Sequence, residues 1–301
     1  MKSSVLPLLC IVFYFLLPIL YKYREKGIKK AVPMTKPYIR SLNNNQLSVL
    51  AAIYSFRFST RSLLSQYYGI PNNTSLYSRL QILQKHGYIA SHYSKGYKLA
   101  GREAEFYMLP SGLRALRDAK LLDVTDSMLT ALYKDRSVGL NFISQQVSLL
   151  RLRNKLVRIH DNLQAFTIRD TQTLDYFPKP RPDLFLSLKN NNAVTRFFVE
   201  YVPAETITSK IRKRLEQLTR YYEEDLWADT GTPFPGILFV AETGLMEAGL
   251  KRLISREQYR SDTDIEFYTT TQKAVLGITE YSKAIWTGAS DPDELLALSE
   301  I

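Results

Sequence analysis

Residues 60–92 read TRSLLSQYYGIPNNTSLYSRLQILQKHGYIASH, and the order of signals in this stretch decides the fold of the first half of the chain. Ser59 or Thr60 can cap a short helix, RSLLSQYY, with Leu63, Leu64 and Tyr67 turned inward. Gly69 ends it, and GIPNN makes a turn through which no helix continues. Thr74 opens a second helix in which Leu76, Leu80 and Leu83 recur on one face, and Gly87 stops it. The opposite face offers Asn73, Ser75, Tyr77, Ser78, Arg79, Gln81 and Lys85. Such side chains donate to phosphates or read base edges. The bland reading is a polar, solvated helix face.

The flanks decide between the two. Upstream, Asn45 can cap a helix carrying Leu47, Leu50, Ala51 and Tyr54. Downstream, residues 88–93 (YIASHY) alternate like a strand and residues 105–109 (EFYML) read as its antiparallel partner. Between them SKGYKLAGRE is a flexible loop with Lys95, Lys98 and Arg102 at a basic tip. A further helix, LRALRDAKLL, keeps Leu113, Leu116 and Leu121 on its apolar side. Helix, helix-turn-helix, basic hairpin, helix is the order of a winged helix-turn-helix, here over residues 34–122. Its partner is double-stranded DNA, with the hairpin touching the backbone or minor groove. A winged helix used only for protein contacts remains the alternative.

Charge points the same way. Forty Lys and Arg against twenty-nine Asp and Glu leave +11 in a chain of 301 residues, and such a balance attracts polyanions or an anionic membrane surface. Cys10 is the only cysteine, which excludes an internal disulfide and a cysteine zinc site and fits a cytoplasmic protein. His86, His92 and His160 show no metal-ligand spacing. Neither GxxxxGK[ST] nor GxGxxG occurs, and no Ser-His-Asp or Cys-His set can be built, so nothing supports nucleotide hydrolysis.

Residues 1–33 are a separate matter. Residues 5–20 (VLPLLCIVFYFLLPIL) carry no charge, and the basic cluster Lys22, Arg24, Lys26, Lys29 and Lys30 follows. Sixteen residues with Pro7 and Pro18 fall short of the roughly 20 of a spanning helix. If they insert, the basic cluster holds the folded part in the cytoplasm beside the inner membrane. The competing reading starts the protein at Met34 instead of Met1.

In the second half a helix covers about residues 138–159, and its basic end RLRNKLVR is either a solvated face or a second phosphate-contacting stripe. Strands are expected at 166–169, 183–188, 195–202, 236–241 and 265–268, with helices at about 205–225 and 245–256. The order α-β-β-β-α-β-α-β resembles the core of the PD-(D/E)xK, or restriction-endonuclease-like, fold, over residues 137–286 with 287–301 as a tail. The fold class is therefore α+β, a winged helix followed by a restriction-endonuclease-like α/β domain. Arg181-Pro182-Asp183 and Phe198-Val199-Glu200 stand at the motif positions. In active members the Asp and Glu hold Mg²⁺ or Mn²⁺, and a Lys two residues on helps activate water. Here that position is Val202, and Lys210 or Lys213 on the next helix either substitutes or belongs to the exposed, DNA-facing side of a basic helix, SKIRKR. The catalytic candidates are thus Asp183, Glu200, Lys210 and Lys213, the metal candidates Asp183 and Glu200. Taken singly, Asp183 reads as a turn carboxylate and Glu200 as a charge at a strand end.

From about Thr35 to Trp286 the chain resembles the replication-relaxation family of plasmids and mobile elements. The resemblance rests on KPYIR…LSVLAAIYSFRFST, on RLQILQKHGYI, on RPDLF…FFVEY…ET…KIRKRLEQLTRYY and on Ile285-Trp286. It implies a DNA-binding accessory role in plasmid replication, relaxation or transfer, with relaxase or replication proteins as partners and a homodimer left open. The family has an acidic residue where Val202 stands, which puts metal binding in doubt. The alternatives are a metal-dependent nicking endonuclease and a membrane-tethered transcription regulator.

Overall fold

A computed structural model describes residues 41–71, 74–190, 193–289, 291 and 293–301. The apolar stretch 5–20, its basic sequel and Asn73 lie outside the described residues. Leu42 to Ile301 form one compact unit. No helix among the described residues is long and apolar enough to cross a membrane.

Helix α1 (Asn44–Phe56) is capped by Asn43 and not by Asn45. The Gln46 backbone N–H donates to the Asn43 side chain at 2.9 Å and the Gln46 side chain accepts from the Asn43 N–H at 3.0 Å, so two orphan amides are satisfied reciprocally. Thr60 caps α2 (Arg61–Tyr67), accepting from Leu63 N–H, while Ser59 pairs through its backbone with Phe106. Helix α3 (Thr74–Lys85) follows, then the antiparallel pair β1 (Ile89–His92) and β2 (Glu105–Met108). Leu50, Ile53, Leu64, Leu76, Leu80, Leu83, Met108 and Leu113 are fully buried in one cluster, so the leucine spacing of α3 does point to the core.

Three details differ from expectation. The loop after β1 is not flexible coil, because residues Lys95–Leu99 form a short helix, α4, closed down by Tyr97. Helix α5 runs over Pro110–Asp118, and the chain reverses at Lys120 (φ 56°), which leaves Leu121 exposed rather than on an apolar face. A further helix, α6 (Asp126–Lys134), lies ahead of the long helix, where no element is expected from the sequence. Gly112 in α5 is required by close approach: a Cβ there would sit 2.4 Å from the Tyr88 carbonyl oxygen.

After α7 (Leu140–Ile159) comes a seven-stranded mixed sheet in the order β3-β4-β5-β6-β7-β8-β9. Strands β3 (Leu163–Thr167), β4 (Leu184–Asn190) and β5 (Ala193–Val202) form an antiparallel meander. Helix α8 (Thr208–Glu223) crosses over to β6 (Gly236–Ala241), and α9 (Gly244–Ser261) to β7 (Phe267–Thr271), both pairings parallel. The uniformly buried β6 is the pattern of a strand covered on both faces. Phe197, Val199 and Tyr201 pack with Leu152 and Leu156 of α7 on one face. Phe198 and Val202 pack with Ile211, Leu215 and Leu218 of α8 and Leu250 and Ile254 of α9 on the other. The fold class is α+β with the expected order of elements.

Residues 287–301 are not a tail. After α10 (Gln272–Gly277), the strand β8 (Trp286–Gly288) joins β7, β9 (Leu295–Leu296) joins β8, and Ala297 and Leu298 are buried. These strands are too short to show alternation in sequence, and long-range pairing alone defines them.

Candidate nucleic-acid interface and acidic pair

The outer face of α3 carries Ser75, Tyr77, Ser78, Gln81 and Lys85 in solvent, with Arg79 half-buried. The fully buried leucines on the inner side fix which way these side chains face. Between α3 and the β1–β2 hairpin lies a cleft of about 440 Å³ lined by Arg61, Tyr77, Gln81, Gln84, Ser91 and Arg102 among others. Gln84 donates to Ser91 at 3.1 Å, tying helix to hairpin, and the Arg61 guanidinium lies 5.4 Å from the Tyr77 ring centre. Amides, phenols and guanidinium groups together suit base edges and phosphates.

The hairpin loop is less free than its sequence suggests. The buried Glu105 carboxylate accepts from Tyr97 Oη at 2.8 Å and pairs with Arg102 at 2.7 Å, and Arg102 stacks 4.5 Å from the Tyr97 ring centre. Arg102 is thereby committed to the hairpin, whereas Lys95 and Lys98 stay exposed. Glu105, which carries this arrangement, has no distinguishing signal in the sequence beyond a charge at a strand start.

In the second half the two motif carboxylates are brought together. Asp183, just ahead of β4, accepts from the Tyr201 backbone N–H at 2.8 Å. Glu200 is buried on β5, on the α8 side of the sheet, and accepts from Arg214. Burial, then the neighbouring Glu200 charge, pushes the Asp183 carboxyl up to about 7. Burial also raises Glu200, and the Arg214 charge and hydrogen bond pull it back. Arg214 donates as well to the Pro180 carbonyl at 2.8 Å, so one guanidinium bridges the approach to Asp183 and the Glu200 carboxylate. Arg214 hides within the run SKIRKR, yet its spacing from Ile211 and Leu218 places it on the buried face of α8.

Lys210 and Lys213 are exposed on α8, and Val202 fills its position as part of the apolar cluster. This donor set does not fit a resident divalent cation. Arg214 already supplies the positive charge at Glu200, and no third His, Cys, Asp or Glu gathers with the pair among the described residues.

The Asp183 shift has a measurable consequence. Between about pH 4 and 7 the folded state holds a proton that the unfolded carboxyl has released, so stability falls as pH rises through that window and levels off above it. Asp183→Asn keeps an acceptor for Tyr201 and removes the ionisation. It should flatten that slope and stabilise the protein by about 2–4 kcal/mol near pH 8, read by urea unfolding at several pH values. Parallel curves for the two proteins would refute the shift.

The two halves meet at a charge cluster. Asp135, after α6, has a fully buried side chain that pairs with Arg57 at 2.7 Å and Arg169 at 3.2 Å. Arg169 also donates to the Tyr54 carbonyl at 2.6 Å, and Asn154 of α7 donates to the Leu63 carbonyl at 2.9 Å. Burial lowers the Arg169 pKa, with Asp135 acting in the opposite sense.

No protein-family model and no curated protein matches the chain. Among solved structures it is similar to restriction endonuclease FokI, at TM-score 0.31 and 8% identity over 77% of this chain and 42% of that one. FokI bound to DNA gives a TM-score of 0.28 and 10% identity over 77% of this chain and 43% of that one. The chain thus spans less than half the length of either. At such scores the fold rests on the helices and sheet described above.

Proposed function

We propose that the chain is a double-stranded-DNA-binding accessory protein of a mobile element, acting in plasmid replication, relaxation or transfer. The observation that carries the DNA-binding part is the outward face of α3, set beside the hairpin cleft and fixed by three fully buried leucines. The net charge of +11 supports it. The mobile-element context is supported by the residue motifs shared with the replication-relaxation family, and relaxase or replication proteins are the partners this implies. On this reading the sheet-bearing half is a nuclease-like scaffold in which Arg214 pairs with the Glu200 carboxylate.

The test is selection of bound duplexes from a randomised pool with the full chain. One enriched sequence is expected, and Gln81→Ala or Arg79→Ala should relax it at single positions by about 1–3 kcal/mol each. Binding without any sequence preference, unaffected by either substitution, would overturn a reading role for α3.

A second reading, a nicking endonuclease, is favoured by the meeting of Asp183 and Glu200. Arg214 and Val202 weigh against it. Mg²⁺- or Mn²⁺-dependent nicking of a supercoiled plasmid, abolished by Asp183→Ala, would establish it over the first.

A further inference from the structure

Helix α7 carries Arg151, Lys155 and Arg158 at positions i, i+4 and i+7, which is one face of a helix. Arg151 and Arg158 are exposed and Lys155 is half-buried. None of the three forms an ion pair within the described residues. They line a groove of about 650 Å³ whose other wall is Ser62, Ser65, Gln66 and Gly69 of the helix-turn-helix. Ile70 and Leu276 complete the lining, and no carboxylate is among the described residues that line this groove.

The groove continues toward the recognition face. Arg151 also lines the next depression, with Thr60, Arg102, Glu103, Ser144 and Ser148. Arg102 and Glu103 in turn line the cleft between α3 and the hairpin. One surface therefore runs from Tyr77 and Gln81 past Arg102 to Arg158. Of its carboxylates, Glu105 is engaged by Arg102 and Tyr97, and Glu103 accepts from Ser62. The stripe is also held in register with the helix-turn-helix, because Asn154, buried between Arg151 and Lys155 in sequence, donates to Leu63 of α2. Burial and then the Arg158 charge lower the Lys155 amine, so the stripe gains when a polyanion lies along it.

We infer that the Arg151–Lys155–Arg158 stripe is a second DNA contact, a phosphate clamp that grips the duplex backbone beside the site read by α3. This deepens the proposed DNA-binding function and rests on it. At roughly 1.5 Å per residue the three charges span about 10 Å of helix axis. Phosphates of one DNA strand rise about 3.4 Å each along the duplex axis and lie farther apart along the winding strand, so about two or three come within reach of the stripe. Contacts of this kind position the protein without reading sequence.

The experiment is a titration of the full chain with a random-sequence duplex of about thirty base pairs, from about 50 to 200 mM salt. Wild type is compared with the triple variant Arg151→Gln, Lys155→Gln, Arg158→Gln. A second variant, Arg252→Gln with Arg256→Gln on α9, removes exposed charge elsewhere. Thermal melts confirm that each variant is folded. The α7 variant should lower the slope of log K against log salt by about 2–3, while the α9 variant leaves it unchanged. The sequence enriched by selection should be the same for the α7 variant as for wild type.

An unchanged slope in the α7 variant, with wild type still binding, overturns the clamp and leaves the α3 reading standing. Equal slope losses in both variants would also overturn it, since net charge would then be the cause. No salt-dependent duplex binding by wild type would remove the DNA-binding reading itself. Binding to anionic vesicles but not to duplex would assign the stripe to a membrane surface and refute the clamp.

Discussion

Arg214→Met should cost the fold about 3–5 kcal/mol near pH 8, with a much smaller loss near pH 5. The Arg214 and Glu200 side chains are only 13% and 11% exposed, so removing the guanidinium strands a buried carboxylate beside a second one at Asp183. A lone buried charge of this kind either destabilises the fold or takes up a proton. Lowering the pH supplies that proton to Glu200, and the penalty fades. Urea unfolding at the two pH values measures the difference. Equal losses at both would mean that Arg214 contributes packing alone. Arg214→Lys should recover only part of the loss, because an ammonium cannot reproduce the fork that reaches both Glu200 and the Pro180 carbonyl.

That pair also marks where the sequence stops being informative. Asp183 and Glu200 stand out because each opens or occupies a strand with a recognisable neighbourhood, and the sheet sets them side by side. Their cation does not stand out, since Arg214 sits among four other basic or polar residues and only the spacing from Ile211 separates it from them. The leucines of α3 and the unbroken apolar run of β6 are legible because local periodicity alone decides their burial. Asp135 is the opposite case. Its partners lie 78 and 34 residues away, and nothing in YKDRS distinguishes it from a loop carboxylate in water. Likewise the α4 turn depends on Tyr97 and Arg102 finding Glu105 across the hairpin, a contact that composition does not encode. Strands β8 and β9 exist only because β7 is there to pair with them.

Asp135→Asn should destabilise the protein by a further class of about 3–5 kcal/mol, by removing the single anion that holds Arg57 and Arg169 together. Asparagine preserves the volume, so the loss reports charge. Arg57 is already held at φ 66°, an unfavourable backbone for a residue with a Cβ, and the clamp is what compensates for it. Without it the helix-turn-helix half and the sheet half lose their main polar junction, and the single unfolding transition should broaden or split. Adding Arg169→Met to Asp135→Asn should cost less than the sum of the two, as expected for members of one cluster. A loss below about 1 kcal/mol, with one sharp transition retained, would show that apolar packing alone joins the halves.

The two-residue strand at the end of the sheet bears on how the molecule behaves in a crowd. A sheet that stopped at β7 would present five residues of unsatisfied backbone to any passing chain, an open template for aggregation. Strand β8 covers part of it, and β9 offers only Leu295 and Leu296 beyond. Asp291, Asp293 and Glu294 lead into that strand and place like charges where a second copy would have to approach. Among the described residues, β8 and β9 thus leave a two-residue rim at this side of the sheet in place of the five residues of β7.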